Sequence, residues 1–182
     1  GAQNVIDACL ENNVKKAIAI STDKAAEPIN AMGMTKALQE KLFTQANINQ
    51  NSKKVIFSCV RYGNVIGSTG SVLPLFLKQL HARQHLTITH PNMTRFIITL
   101  DQAADLVFMA LLDSSGGEIF IPDLPSHTIT DLAETLLDVH NEKELKILET
   151  GIRVGEKIHE TLITPTESVR TIKKSGYYII LP

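Results

Sequence analysis

A short apolar run, Ala17 to Ile20, leads directly into Ser21-Thr22-Asp23-Lys24. The run lacks polar alternation, which suits a strand buried on both faces. A hydroxyl, a carboxylate and an ammonium therefore converge where a buried strand emerges. Neighbouring groups of opposite charge shift each other's proton affinity, so Asp23 or Lys24 could be tuned as acid or base. The plainer alternative is an Asp turn followed by a solvated lysine. Further along, Lys36 lies on a helix with Met32 one turn before it. A Tyr at that spacing would share a face with the lysine, and the ammonium would lower the phenol's pKa. A thioether neither donates nor accepts a proton at a useful pKa. Met32 therefore reads as a gap-filling core side chain.

A second strand end carries Arg61-Tyr62-Gly63-Asn64-Val65-Ile66-Gly67-Ser68-Thr69-Gly70. Strand, glycines and helix start in that order can cradle a phosphate. The glycines are spaced G-x3-G-x2-G, not G-x-G-x-x-G, and no acidic residue ends a strand ~20 residues on. The segment reads as a loop lining a ligand, to which Asn64 offers its amide. A third cluster is Arg153-Val154-Gly155-Glu156-Lys157. An arginine fork beside a Gly turn suits a phosphate, and Glu156 can accept from sugar hydroxyls. The alternative is a charged loop with a surface ion pair. Arg95 reads as a satisfied structural arginine. His81 and His85 stand four apart with His90 nearby, but no Cys pair or H-E-x-x-H accompanies them, so no metal site is assigned. Gly67-Ser68-Thr69-Gly70 is not a nucleophile elbow.

The elements that must position these residues follow from hydrophobic period and punctuation. Val5, Ile6, Cys9 and Leu10 mark a helix ending near Asn13. After strand 17–20 and a polar loop, Asn30 caps a helix whose apolar face includes Met34, Leu38, Leu42 and Phe43. Lys54 to Val60 reads as a second buried strand. Ser71 caps a helix through Leu80, with Pro74 tolerated in its first turn. Thr94 to Leu100 is a short strand, and Asp101 caps a helix to about Leu112. Gly116 and Gly117 turn the chain into strand Glu118 to Ile121. Thr130 to His140 is an amphipathic helix, Leu145 to Leu148 a strand, Gly155 to Leu162 a short helix and Tyr177 to Leu181 a last strand. Alternating strands and helices argue for an α/β fold with a parallel sheet. Long loops cluster after Gly116. A soft boundary is expected there, with residues 1–115 as the main layer and 116–182 mainly a smaller lobe.

Composition narrows the function. The chain has 182 residues, 43% hydrophobic and 20% charged, enough for one domain with a real core but not for two large ones. Lys+Arg is 18 against 19 Asp+Glu, so no basic excess exists to grip a phosphate backbone, and nucleic acid is not an expected partner. Cys9 and Cys59 cannot make a disulfide framework, and a cytoplasmic, reducing setting is expected. No apolar run in this segment approaches a membrane span, and no signal peptide is visible. The chain begins with Gly1 and drops at once into a helical pattern, so it reads as an internal piece of something longer.

Four groups of residues in order resemble one family. They are Ser21-Thr22-Asp23-Lys24-Ala25 with Pro28-Ile29-Asn30, Met32-Gly33, Thr35-Lys36 and Glu40-Lys41; Arg61 to Val65 with Gly67-Ser68 and Gly70-Ser71-Val72; Met93-Thr94-Arg95-Phe96; and Gly155 to Glu160. Together they resemble the extended short-chain dehydrogenase/reductases. Within these, the resemblance is to the polysaccharide-biosynthesis branch of UDP-N-acetylglucosamine 4,6-dehydratases, particularly the inverting enzymes. It spans nearly the whole chain.

The resemblance implies a Rossmann-like parallel sheet with a smaller substrate-binding lobe, corresponding to the C-terminal part of the family fold. The N-terminal cofactor-binding half, with its Gly-rich fingerprint, would be absent here, leaving this piece inactive alone. Thr22, Asp23 and Lys24 would surround the reacting sugar carbons. Lys36 would hold the nicotinamide ribose of NADP (or NAD), with Val65, Gly67 and Ser68 near the nicotinamide. Asn64 would contact the UDP-sugar, Arg153 its pyrophosphate or uridine, and Glu156 the uridine ribose. The implied reaction moves hydride from sugar carbon 4 to the cofactor, loses water across carbons 5 and 6, and returns the hydride to carbon 6. Homo-oligomers are the rule for full-length members. A UDP-sugar 4-epimerase or reductase on the same scaffold, and a non-catalytic nucleotide-sugar-binding module, are the alternatives. Met32 stands where most of the superfamily has Tyr, though a subset of the branch shares the methionine. Lys24 then becomes the expected base, if burial lowers its pKa, and Asp23 the acid for the departing hydroxyl. Val154 replaces the usual Pro of R-P-G-E-K, which loosens that turn.

Overall fold

A computed structural model describes residues 1–48 and 55–182. In chain order the elements are α1 (Ala2–Glu11), β1 (Lys16–Thr22), a one-turn 3-10 helix (Asp23–Ala25), α2 (Ala31–Ala46), β2 (Ile56–Tyr62) and β3 (Asn64–Val65). There follow α3 (Val72–His81), β4 (Leu86–Ile88), β5 (Thr94–Ile98), α4 (Leu100–Asp113), β6 (Ile119–Pro122) and β7 (Ser126–Thr128). The last are α5 (Ile129–Val139), β8 (Ile147–Glu149), α6 (Pro165–Ser168), β9 (Thr171–Lys174) and β10 (Tyr177–Ile180). Lys54, expected to open the second strand, lies outside the described residues.

These elements form two units that exchange the chain repeatedly. One comprises residues 1–62, 101–123 and 161–182, and the other 63–100 and 124–160. The division expected near residue 115 therefore falls inside the first unit. Gly116 and Gly117 do turn the chain, both at positive φ, but the turn leads from α4 into β6 of the same sheet. Local turn chemistry marks the reversal and carries no information about which sheet receives the next strand.

The first unit is built on a five-stranded sheet in the order β1-β2-β6-β10-β9. β1 and β2 are parallel from Lys16↔Ile56 to Thr22↔Tyr62, and β2 and β6 are parallel at Cys59↔Ile119 and Val60↔Phe120. β10 runs antiparallel to β6, and β9 antiparallel to β10. The sheet is thus parallel where the α/β reading placed it, and an antiparallel hairpin adds its last two strands. β2, flanked by β1 and β6, is the strand with Phe57, Ser58, Cys59 and Val60 all fully buried. A strand covered on both faces has no room for polar alternation. Phe57 meets Phe43 of α2 edge-on, with ring centroids 5.7 Å apart, an arrangement favoured by the ring quadrupoles.

α2 turns a different face inward than its apolar spacing suggests. Met34 and Leu38 are exposed, and the buried residues are Gly33, Glu40 and Phe43. The reason is electrostatic: Glu40 is neutralised by a buried arginine, so a charged position sits on the core side and displaces the apolar stripe. Met32 is half exposed and does not fill the core. Asn30 caps α2 as expected, its side chain accepting from Gly33 N at 2.8 Å.

The second unit has a separate core. Phe76 and Leu80 of α3 pack with Leu86 and Ile88 of β4, Met93, and Ile129 and Ala133 of α5. A three-stranded sheet, β3-β5-β7, and the parallel pair β4-β8 flank it. Gly63 is required at the start of β3, because a Cβ there would strike the Phe96 carbonyl of β5. No helix forms over residues 155–162. The carbonyls that would start one are spent on β5: Ile158 O accepts from Thr94 N at 3.0 Å, and Lys157 O from Arg95 Nη2 at 2.9 Å. Two expected caps also differ. Ser71 precedes α3 but makes no side-chain cap bond, and Asp101 lies inside the first turn of α4.

Candidate functional site

In the first unit the strand-end tetrapeptide forms a hydrogen-bonded cluster. The Asp23 side chain is fully buried, and its Oδ1 accepts from Lys24 Nζ at 2.9 Å and from Thr22 Oγ1 at 2.9 Å. Asp23 Oδ2 and the neighbouring Ser21 Oγ are buried and have no hydrogen-bond partner among the described residues. A buried carboxylate oxygen without a donor is costly, so the cluster is ordered at the expense of one unsatisfied acceptor. The Lys24 side chain is 30% exposed. The one-turn helix holding these residues is closed by Ala26 N donating to Asp23 O. α2 can approach it only because Gly33 lacks a side chain, since a Cβ there would overlap the Lys24 carbonyl.

Lys36 lies one turn further along α2. Its Nζ donates to Ile20 O at 2.9 Å and to Gln39 Oε1 at 3.3 Å, and Gln39 Nε2 donates to the same Ile20 carbonyl at 2.9 Å. An ammonium has three N–H bonds; one is spent on the Ile20 carbonyl of β1 and one on Gln39 of α2 itself, which leaves a third. That donor set fits a ribose hydroxyl.

Behind these residues lies a charge network that sequence reasoning missed. Arg61, 2% exposed, donates Nε and Nη2 to the two Glu40 oxygens at 2.9 and 2.6 Å. Nη1 and Nη2 reach the two Glu167 oxygens, each at 2.9 Å, and Nη1 also reaches Leu162 O at 2.8 Å. All five guanidinium donors are thereby filled. Burial alone would lower the arginine's proton affinity, but the bonds to Glu40 and Glu167 outweigh it and push the affinity up. Burial likewise raises Glu167, yet Arg61 and the Thr164 backbone hold its carboxyl at about 2. Burial, reinforced by the Glu40 charge, pushes the Cys59 thiol far up, which leaves it unreactive. The available sequence signal was a charge inside each of two buried patterns, Arg61 in β2 and Glu40 in α2.

In the second unit a cavity of about 220 Å³ is lined by Asn64, Ser71, Thr89, Arg95, Arg153 and Glu156 among others. Asn64 Oδ1 and Ser71 Oγ are buried there without a partner among the described residues. Ser71 is expected only as a helix cap; its hydroxyl makes no bond to the helix and lines the cavity instead. The Arg153–Glu156 turn is closed on itself. Glu156 N donates to Arg153 O at 3.1 Å, and Arg153 N to Glu156 Oε2 at 3.2 Å. Val154, at the usual Pro position, is fully exposed, and the turn forms without the ring. Arg95 is buried and fastens β5 to this segment by donating to Lys157 O and Ile158 O, with a further bond to Thr94 O of its own strand and Glu156 Oε1 3.8 Å away. Val65, Gly67 and Ser68 do not line the cavity. Val65 pairs with Ile98, Gly67 has φ +73, and Ser68 N donates to Val65 O at 3.3 Å. The structure therefore groups Thr22, Asp23, Lys24 and Lys36 in one unit and Asn64, Arg153 and Glu156 in the other. Of the histidines, His85 Nδ1 accepts from Lys146 N and His90 Nδ1 from Asn92 N, so these rings serve loop structure.

Comparison with known proteins places this geometry in a family. The family model described as polysaccharide biosynthesis protein matches residues 1–182. A UDP-N-acetylglucosamine 4,6-dehydratase (inverting) from Campylobacter jejuni is 48% identical over 183 residues, covering 100% of this chain and 53% of the relative. A UDP-glucose 4-epimerase from Rickettsia rickettsii is 43% identical over 180 residues, covering 99% of this chain and 52% of the relative. The chain thus spans about half the length of the curated relatives it matches. Among solved structures, Pen from Bacillus thuringiensis superposes with a TM-score of 0.94 at 39% identity, over 99% of this chain and 57% of that one. A dTDP-glucose 4,6-dehydratase from Streptomyces venezuelae, solved with NAD and TYD bound, shares the fold at a TM-score of 0.77 and 18% identity, over 92% of this chain and 57% of that one. The match along the whole chain shows that it belongs to the polysaccharide biosynthesis protein family of extended short-chain dehydrogenase/reductases.

Proposed function

We propose that the protein containing this chain is a nucleotide-sugar 4,6-dehydratase acting on UDP-N-acetylglucosamine with NADP or NAD. In this reading the first unit belongs to the dinucleotide-binding layer and the second is the nucleotide-sugar lobe. The observation that carries it is Asp23: fully buried, in contact with Lys24, and left with one oxygen unpartnered. A module that only binds has no use for a fully buried carboxylate that is paired with a half-buried lysine and keeps one oxygen unsatisfied among the described residues. The dinucleotide, when bound, supplies the acceptance and return of hydride.

The chain's residues handle protons. Dehydration removes a proton from the carbon-4 hydroxyl and one from carbon 5. It returns one to the departing carbon-6 hydroxyl and one to carbon 5, with water as the product. With Met32 unable to move a proton, Lys24 accepts from the carbon-4 hydroxyl. The 2.9 Å contact lets that proton pass to Asp23, which gives it to the leaving hydroxyl. Thr22 Oγ1 bonds the same Oδ1 and so holds the carboxyl against Lys24. Lys36 offers its third N–H to the ribose. In the second unit, Arg153 and the unpartnered Ser71 and Asn64 groups suit a diphosphate and sugar.

A second reading, a UDP-sugar 4-epimerase, is favoured by the identity to the Rickettsia enzyme. The full-length gene product, incubated with UDP-N-acetylglucosamine and NADP or NAD, should yield a nucleotide sugar lighter by one water. A product of unchanged mass with altered carbon-4 stereochemistry would replace this reading with the epimerase. Retained ligand binding without any turnover would leave a binding module.

A further inference from the structure

The Arg61 and Glu40 side chains bond to none of Ser21–Lys24 and do not line the cavity of the second unit, yet their geometry is tied to Lys36. Lys36 and Glu40 stand four apart on α2 and so occupy the same stripe of the helix. Lys36, with Gln39, grips the Ile20 carbonyl of β1. Glu40 grips Arg61 of β2 through both carboxylate oxygens. Arg61 lies directly across from Ser21 in the β1–β2 register, one residue beyond Ile20. The same stripe of α2 is therefore stapled to two neighbouring strands at one level. The two-pronged Arg61–Glu40 bond fixes the roll of the helix in a way a single bond cannot. If it is lost, α2 can still be held by Phe43 and Asn47 near its far end and by the close approach of Gly33 to the Lys24 carbonyl at its start, but the two-pronged bond one turn beyond Lys36 is gone.

We propose that Arg61 is a positioning residue that acts through Glu40 to hold the Lys36 ammonium where its remaining N–H meets the dinucleotide. The inference rests on the reading of Lys36 as a dinucleotide ligand. Glu167 provides the internal control. It shares Arg61 and is also bonded to it through both carboxylate oxygens, but it sits on α6, and among the described residues its hydrogen bonds go to Arg61, Thr164 and Thr171 rather than to α2.

The test is a double-mutant cycle on the full-length gene product, read as NADP affinity by calorimetry. Glu40→Gln should weaken NADP binding by about tenfold in the native background and by less than about twofold in the Lys36→Met background, the signature of two residues acting as one. Glu167→Gln should lower thermal stability but leave NADP affinity within about twofold. Should Glu40→Gln fail to fold, Arg61→Lys, which keeps the charge but loses the fork, is put through the same cycle. Equal losses in both backgrounds, or a Glu167→Gln loss matching that of Glu40→Gln, would overturn the positioning role while leaving Lys36 as a ligand. If Lys36→Met alone leaves NADP affinity unchanged, the ligand reading falls and the positioning role falls with it.

Discussion

Asp23 and Glu167 are both carboxylates packed against a cation, and their surroundings give them different uses. Every oxygen of Glu167 is engaged: Arg61 reaches both, and Oε2 also takes Thr164 N at 3.0 Å. Asp23 Oδ2 has no hydrogen-bond partner among the described residues. The first arrangement is a structural lock; the second is the group proposed to pass the proton. Asp23→Asn keeps the shape but cannot deliver the proton. It should reduce turnover by about 10²- to 10⁴-fold while changing nucleotide-sugar affinity little; an Asn variant with native turnover would remove Asp23 from the chemistry. Glu167, with a folded carboxyl at about 2 against an ordinary 4.5, stabilises the fold fully above pH 4.5 and loses that contribution as pH falls toward 2. Urea midpoints measured between pH 5 and pH 2 should fall less steeply in Glu167→Gln than in the native protein. At this scale the sequence was legible where charge sits beside charge, as in Asp23-Lys24. It was not legible where the partners are remote. Glu40, Arg61 and Glu167 are brought together only by the packing of α2, β2 and α6, and no local spacing encodes that.

Elements show the same split between local and remote causes. α2 was legible at its start because Asn30 caps it with a bond to Gly33 N three residues on. Replacing that cap, Asn30→Ala, should cost about 1 kcal/mol. Its inward face was misread because the buried side carries Glu40, which is tolerated only by virtue of Arg61. The expected helix over 155–162 failed for a related reason, since β5 and Arg95 claim its carbonyls. Gly33 gives a test in which local propensity and tertiary packing predict opposite signs. In an isolated helix, Gly→Ala gains about 0.5–1 kcal/mol. Here the new Cβ would overlap the Lys24 carbonyl and press on Pro28, both in the segment that holds the strand-end cluster. Gly33→Ala should therefore lower the urea midpoint. A raised midpoint would show that the one-turn helix yields freely and that the close approach does not constrain Asp23 and Lys24.

At the scale of the whole molecule, the chain distributes its hydrophobic burial over cores that share no residue. The second unit's cluster joins Phe76, Leu80, Leu86, Ile88, Met93, Ile129 and Ala133. A cluster of the first unit joins Val60, Leu106, Ala110, Phe120, Tyr177 and Ile179. This interleaving is not legible in the sequence, because the crossings between units occur at ordinary strand and helix ends, without linkers or shifts in composition. Separate cores make stability separable, since local opening follows contiguous packed groups rather than chain order. Phe76 is fully buried in the second cluster, and truncating such a residue costs about 3–5 kcal/mol. Phe76→Ala should accordingly speed amide hydrogen exchange in β4 and α5, whose residues line the same cluster. It should leave exchange in β2 and β6 close to native, although β4 lies nearer in sequence to β2 than to most of α5. Hydrogen exchange read by mass spectrometry on peptides from these segments distinguishes the outcomes. Equal acceleration in both sets would mean that the four chain crossings couple the cores into one cooperative unit, and that burial in either is felt throughout.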